Sequence, residues 1–118
     1  MTEKAVECLF CRIAAGEIPS SKVAEGEDWL AFHDVSPQAP VHVLIIPRDH
    51  VESVAHLDPM SGTLGGHLIH AAAEVARKLG VAEDGYRLVT NCGARAGQSV
   101  FHLHIHLLAG RSMGWPPG

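Results

Sequence analysis

Several things are missing from this chain of 118 residues. Cysteine is scarce. Cys8, Cys11 and Cys92 are an odd set of three, which excludes a disulfide framework and fits a reducing compartment. No Lys/Arg cluster occurs, and the formal net charge is −4 with His neutral, which sets sequence-independent nucleic-acid binding aside. No apolar run is long enough to cross a bilayer. The opening "MTEKAVECLF" has no signal-peptide core, so a cytoplasmic location is expected. Internal repeats and low-complexity linkers are absent. No G-x-G-x-x-G follows a strand and opens a helix, so a Rossmann dinucleotide site has no support.

A hydrophobic content of 47% with 19% charged residues is that of an ordinary globular chain. One domain over residues 1–118 is expected, with 1–7 flexible and 109–118 an irregular tail. "CLFCRIAAG" reads as a short helix closed by Gly16. Lys22–Glu25 and Trp29–Asp34, around a Gly-containing turn, read as a hairpin. "VHVLIIP" is a strand with Val43 and Ile45 on one face and His42, Leu44 and Ile46 on the other. Asp58 as N-cap and Pro59 at the first helical position open a helix. Its Leu64, Leu68, Ala71, Ala72, Val75 and Leu79 recur at helical spacing, Gly65 and Gly66 weaken its first half, and Gly80 ends it. "YRLVTN" is a further strand, "CGARAGQ" a loop, and Ser99–Leu108 the last strand. The expected class is α+β, with the helices covering one face of an antiparallel sheet.

The last strand carries the most informative pattern. In "SVFHLHIHLL", His102, His104 and His106 alternate with apolar residues, the period of a β-strand, at same-face steps of roughly 6.6–6.8 Å. One such imidazole is most simply a solvent-facing residue. Three in register point to nucleophiles, acid/base groups or ligands. Asn91, Gly93, Gly97, Gln98 and Ser99 precede the row and suit an anion nest. Cys8-x-x-Cys11 is open to three readings: a redox pair, half of a zinc site, or buried thiols. Zinc needs two further ligands, for which His50 and one histidine of the row are available. His67 and His70, at i and i+3 on the long helix, have chelate spacing but no evident partner, and they read as surface residues, as does His56.

"QSVFHLHIHLL" has the His-φ-His-φ-His-φ-φ form (φ apolar) of the histidine-triad superfamily. "FHDVSPQAPVHVLIIPRDH" and the ending "GRSMGWPPG" resemble its Hint branch, the adenosine phosphoramidases; the likeness runs from about Cys8 to Gly118. The resemblance implies a five-stranded antiparallel meander with one long and one short helix, and a homodimer whose sheets join. It also implies hydrolysis of the P–N bond of purine nucleoside 5′-phosphoramidates. By position His104 would be the nucleophile, oriented by the backbone of His102. His106 would contact phosphoryl oxygens, His42 would support the row, and Ser99 would lie near the leaving nitrogen. Asn91, Gln98 and the amides around Gly97 and Val100 would cradle phosphate, and Asp34 would take the ribose hydroxyls. Leu9, Phe10, Ile13, Ile18, Phe32, His33 and Val35 would form the purine slot, and Trp115 would reach toward the partner's site. Bacterial relatives with Cys-x-x-Cys imply a structural, non-catalytic zinc on Cys8, Cys11, His50 and His102, and no organic cofactor. A related branch cleaves dinucleoside polyphosphates but has Gln where this chain has Ser99, and it lacks the WPPG ending. A nucleotide-binding protein with little turnover is the reading from another class.

Overall fold

The computed structural model describes residues 8–60 and 62–118; the expectation for residues 1–7 lies outside them. Five strands, β1 (Lys22–Glu25), β2 (Trp29–His33), β3 (Val41–Pro47), β4 (Tyr86–Val89) and β5 (Ile105–Ala109), form one antiparallel sheet in the order β1-β2-β3-β5-β4. Helix α1 spans Leu9–Ala14 and α2 spans Thr63–Lys78. No helix among the described residues is long and apolar enough to cross a membrane.

The helices lie on opposite faces of the sheet, which corrects the one-face expectation. The cause is legible along β3, which is buried from His42 to Pro47 on both sides. Val43 and Ile45, with Ala31 and Leu107, meet Leu68, Ala71, Ala72, Val75 and Ala76 of α2. Leu44 and Ile46, with Leu30 and Phe32, meet Phe10 of α1. A strand covered on both faces loses polar alternation. Leu68 is 1% exposed in the larger of these layers. Leu68→Ala is expected to lower unfolding free energy by about 2–5 kcal/mol, and Leu68→Met by less than about 1.5 kcal/mol. Both are read as denaturant midpoints at unchanged slope.

Both helices end as expected from their glycines. Gly16 (φ 79°) and Gly80 (φ 74°) take the left-handed position. In each case the N–H groups of the glycine and of the residue after it return to the last turn: Gly16 to Ile13 O and Glu17 to Arg12 O, Gly80 to Arg77 O and Val81 to Ala76 O. The start of α2 differs. Asp58 does not cap it; its Oδ1 accepts from Met60 N at 2.9 Å, and Gly62 N–H returns to Asp58 O at 3.1 Å. The Asp-Pro pair is committed to a turn, and the helix opens five residues later with Gly62 (φ 55°) as its N-cap.

β5 is also shorter than the histidine pattern suggests: it begins at Ile105, and residues 99–104 are irregular. Its pairing with β3 stops at Ile45↔Ile105. Farther along β3, Pro47 has no N–H to offer a ladder. The preceding chain is held by other groups, Leu103 N–H donating to Val51 O at 2.6 Å and the His102 ring reaching Pro47 O. At the other end Ala109, expected in the irregular tail, still belongs to the strand, and residues 110–118 carry no helix or strand.

Candidate functional site

Leaving the ladder early sends the three histidines to different tasks. His104 is 7% exposed, and its Nδ1 lies 2.7 Å from the carbonyl oxygen of His102. A carbonyl only accepts, so Nδ1 carries the proton and the Nε2 lone pair is left available. The same reasoning runs through the neighbouring pair. Gln38 N–H donates to His42 Nδ1 at 3.0 Å, which places the His42 proton on Nε2. That nitrogen donates to His106 Nδ1 at 2.9 Å, with Asp34 Oδ2 3.4 Å away. His106 therefore carries its own proton on Nε2, as a donor. Three rings thus have assigned tautomers, each traced to a main-chain group.

Burial keeps this pair neutral. It pushes the pKa of His106 down to about 4, helped by the neighbouring His104 and His42 and opposed by Asp34. Burial likewise lowers that of His42, against Asp34. An unfolded imidazole titrates near 6.5, so between about 6.5 and 4 the unfolded chain binds more protons. The contribution of His106 to stability is complete above that window and is lost as pH falls through it. Denaturant midpoints measured across pH 4–7 should therefore fall with acid in the wild type, and the slope should be shallower in His106→Gln.

These rings open onto a cleft of about 590 Å³. Leu9, Phe10, Ile13 and Phe32 give its apolar wall, and Phe10 sets an edge against Phe32 (5.5 Å) and against His104 (5.1 Å). His33, Asp34 and the almost fully exposed Val35 continue the lining, together with Gly97, Ser99 and Val100. Asp34 Oδ1 is steadied by Ser36 N–H at 2.8 Å. His42, His104 and His106 lie at the base.

Three expected residues, Ile18, Gln98 and Asn91, are placed outside the cleft lining. Ile18 lines a separate hollow with Pro19 and Leu30, because the turn after α1 carries it past the cleft. Gln98 is buried, its amide spent on Gly93 N (2.8 Å), Glu52 O (2.8 Å) and Val100 O (3.1 Å), so it braces the loop. Asn91 is not part of the lining; its side-chain amide lies beside Gly97. Trp115 is 83% exposed, with the Arg87 guanidinium 5.9 Å from its ring centre. The Gly97 N–H returns to Ala94 O at 3.0 Å, which removes it as a phosphate donor. Conversely, the sequence reading missed Gln38 and Thr90. Gln38 acts through its main chain, which no side-chain pattern reveals; Thr90 donates its hydroxyl to His104 O at 2.9 Å.

The ring of His102 faces the other way. Its Nε2 donates to Pro47 O at 2.8 Å, leaving the Nδ1 lone pair 3.3 Å from Cys8 Sγ and 3.4 Å from Cys11 Sγ. Cys11 Sγ is 3.2 Å from His50 Nδ1. All four donor atoms lie within 4.8 Å of one another. A tetrahedral zinc with these bond lengths separates S from N by roughly 3.6 Å, so the set fits such an ion. The electrostatics agree. Without a cation, burial and then Cys8 push the Cys11 thiol up to about 12, whereas a bound metal requires thiolate. Burial, with His50 and His104 nearby, holds His102 at about 4, the neutral form a ligand needs. Cys8 also caps α1, its Sγ accepting from Cys11 N–H at 3.4 Å. The alternative of a redox pair is left without a βαβ setting.

Known proteins show the same arrangement of chain. A 14 kDa zinc-binding protein of Zea mays is 47% identical over 112 residues, covering 93% of this chain and 87% of its own. The crystal structure of a HIT family hydrolase from Legionella pneumophila superposes with a TM-score of 0.92 at 46% identity, over 95% of this chain and 100% of the other. A histidine triad nucleotide-binding protein from Candida albicans gives 0.80 at 32% identity, over 93% and 83%. The HIT domain family model matches residues 15–113, from the end of α1 to beyond the histidine row, and the chain belongs to that family.

Proposed function

We propose that this protein is a nucleotide hydrolase that cleaves the P–N bond of purine nucleoside 5′-phosphoramidates. The observation that carries the reading is the His104 ring, with Nδ1 pinned to the His102 carbonyl at 2.7 Å and the Nε2 lone pair left available in the cleft, where it would act as the nucleophile. In the first step Nε2 attacks the α-phosphorus, the P–N bond breaks, and the amine leaves with a proton. Ser99, which lines the same cleft, would place its hydroxyl beside the leaving nitrogen and pass it that proton. In the second step water attacks the nucleotidyl-histidine, the P–Nε2 bond breaks, and the monophosphate departs. Dividing one displacement into two lowers each barrier. The His106 Nε2–H, held by the Gln38–His42 relay, donates to the phosphoryl oxygens, where preorganised donors act most strongly. Asp34 takes the ribose hydroxyls, and Phe10, Ile13 and Phe32 enclose the base. An apolar slot with few edge contacts discriminates weakly between adenine and guanine.

Cys8, Cys11, His50 and His102 would hold a structural zinc that ties α1 to the segment before β5. Such a closed site lacks an open position for substrate. A homodimer, with Trp115 reaching the partner's cleft, and a cytoplasmic location complete the reading.

The test is turnover of adenosine 5′-phosphoramidate bearing a fluorogenic amine, beside a dinucleoside polyphosphate. Release of AMP and amine, with the polyphosphate cleaved at least tenfold more slowly, supports the reading. Faster cleavage of the polyphosphate would reassign the substrate. Tight AMP binding with neither substrate turned over would leave a binding protein.

A further inference from the structure

The loop joining β2 to β3 supplies main-chain groups that orient the cleft, and a side chain from the tail after β5 holds that loop. Its base is closed by Asp34 N–H to His42 O at 2.9 Å. Farther along it, Gln38 N–H meets His42 Nδ1 at 3.0 Å. The carbonyl of the same residue is gripped by Arg111, through Nε at 3.2 Å and Nη2 at 3.1 Å. Arg111 Nη1 donates to Ser112 O at 3.1 Å, which steadies the fork from its far side. The chain is shaped to bring residue 111 there. The β3–β5 ladder ends at Val41↔Ala109, and Gly110 follows with φ 92°. A Cβ on Gly110 would lie 2.8 Å from Pro40 Cβ, so only glycine lets the tail turn this close over the loop.

We propose that Arg111 is a positioning residue: by gripping Gln38 it fixes the direction of the hydrogen bond between His42 and His106. That bond, 2.9 Å long, can run in two directions, because each neutral imidazole carries one proton. In the direction assigned above, His42 Nε2 donates and His106 presents its Nε2–H as a donor. In the reverse, both rings carry the proton on Nδ1, and His106 presents a lone pair, the wrong polarity for a phosphoryl oxygen. Gln38 N–H excludes the reverse, since two donors cannot share the His42 Nδ1 position. Asp34 Oδ2, 3.4 Å from His42 Nε2, favours the same direction. A planar guanidinium fork sets the carbonyl it holds in orientation as well as distance, which an ammonium on a flexible stem does not. Arg111 itself is exposed and outside the cleft lining, so it acts through the Gln38 main chain. The consequence for turnover rests on the reaction proposed above; the tautomers do not.

The test reads both. Long-range proton–nitrogen NMR spectra of zinc-loaded, histidine-labelled protein give the tautomer of each neutral ring. Arg111→Met, which keeps the stem and loses the donors, and Arg111→Lys are compared with wild type, beside Tm and kcat for the adenosine phosphoramidate. Wild type should show single Nε2–H forms of His42 and His106. In Arg111→Met the two nitrogen shifts of each ring should move toward one another as the reverse direction becomes populated. Its kcat should fall about tenfold, short of the 10²–10³-fold for losing a transition-state donor outright, with Arg111→Lys between. The substituted side chain is exposed, so the variants keep the fold. Unchanged His42 and His106 tautomers in Arg111→Met would overturn the proposal. Altered tautomers with kcat within about twofold of an active wild type would overturn it too. A wild type that does not cleave the phosphoramidate would remove the proposed reaction, and the spectra would still decide the role of Arg111.

Discussion

His104→Ala and His104→Asn are expected to lower kcat for an adenosine phosphoramidate by on the order of 10⁴-fold or more, the scale on which loss of a covalent nucleophile is felt. Asn is the more informative change. Its side-chain N–H can still donate toward His102 O, which His104 Nδ1 meets at 2.7 Å, so the segment before β5 keeps its internal bond. Only the nucleophilic nitrogen is removed. Wild type quenched in acid during turnover should carry one nucleotidyl group per active chain by mass, and His104→Asn none. His106→Gln retains a nucleophile and loses a donor, for which about 10²–10³-fold in kcat is expected. The order of the two effects is the diagnostic feature. If His104→Asn kept a tenth of wild-type turnover while remaining folded and binding AMP, the nucleophile would have to be another group or water. The histidines would then be a grip for phosphate.

The elements that the sequence disclosed are those whose cause is local. The hairpin, β3, β4, the apolar stripe of α2 and the two glycine stops follow from alternation, helical spacing and backbone freedom within a few residues. What escaped depends on distant partners. The even alternation of His102, His104 and His106 suggested one continuous strand face. In the fold Pro47 ends the ladder, and the His102 ring turns to Cys8, Cys11 and His50, residues more than fifty positions away. The row is thus divided, with one ring in the cysteine–histidine cluster and two at the cleft. Gln98 looked like a phosphate ligand because its type and place were right, yet three neighbouring main-chain groups claim its amide. His67 looked partnerless because Asp28 comes from another element. The cysteine cluster was legible only through the family resemblance, since spacing alone left three readings for Cys-x-x-Cys.

Removing metal from the Cys8–Cys11–His50–His102 cluster is expected to cost as much stability as the most damaging single core substitutions. The cluster joins α1, the segment after β3 and the segment before β5, which the sheet's ladders do not tie together. Structural zinc sites supply folding free energy outright, up to about 10–16 kcal/mol in small zinc-dependent domains. This chain has a two-sided core of its own, so a fraction of that is expected here. About 3–5 kcal/mol corresponds to a fall of roughly 10–20 °C in Tm for a domain of this size. The measurement is Tm and metal content of protein as purified, after a strong chelator, and after zinc is restored, with Cys11→Ser beside it. About one zinc per chain, a Tm that falls and recovers, and a Cys11→Ser variant insensitive to the chelator are expected. Activity adds a readout that a remote structural tie would not give. His102 supplies its ring to the cluster and its carbonyl to His104 Nδ1, so loosening the ring frees the hydrogen bond that fixes the nucleophile's tautomer. Below the lowered Tm, the metal-depleted protein should therefore lose kcat, and KM should rise with it, since Leu9, Phe10 and Ile13 of the cleft wall lie on the α1 helix that the cluster anchors. A metal-free chain with unchanged Tm and full turnover would mean that the two thiols and two imidazoles are held by packing alone.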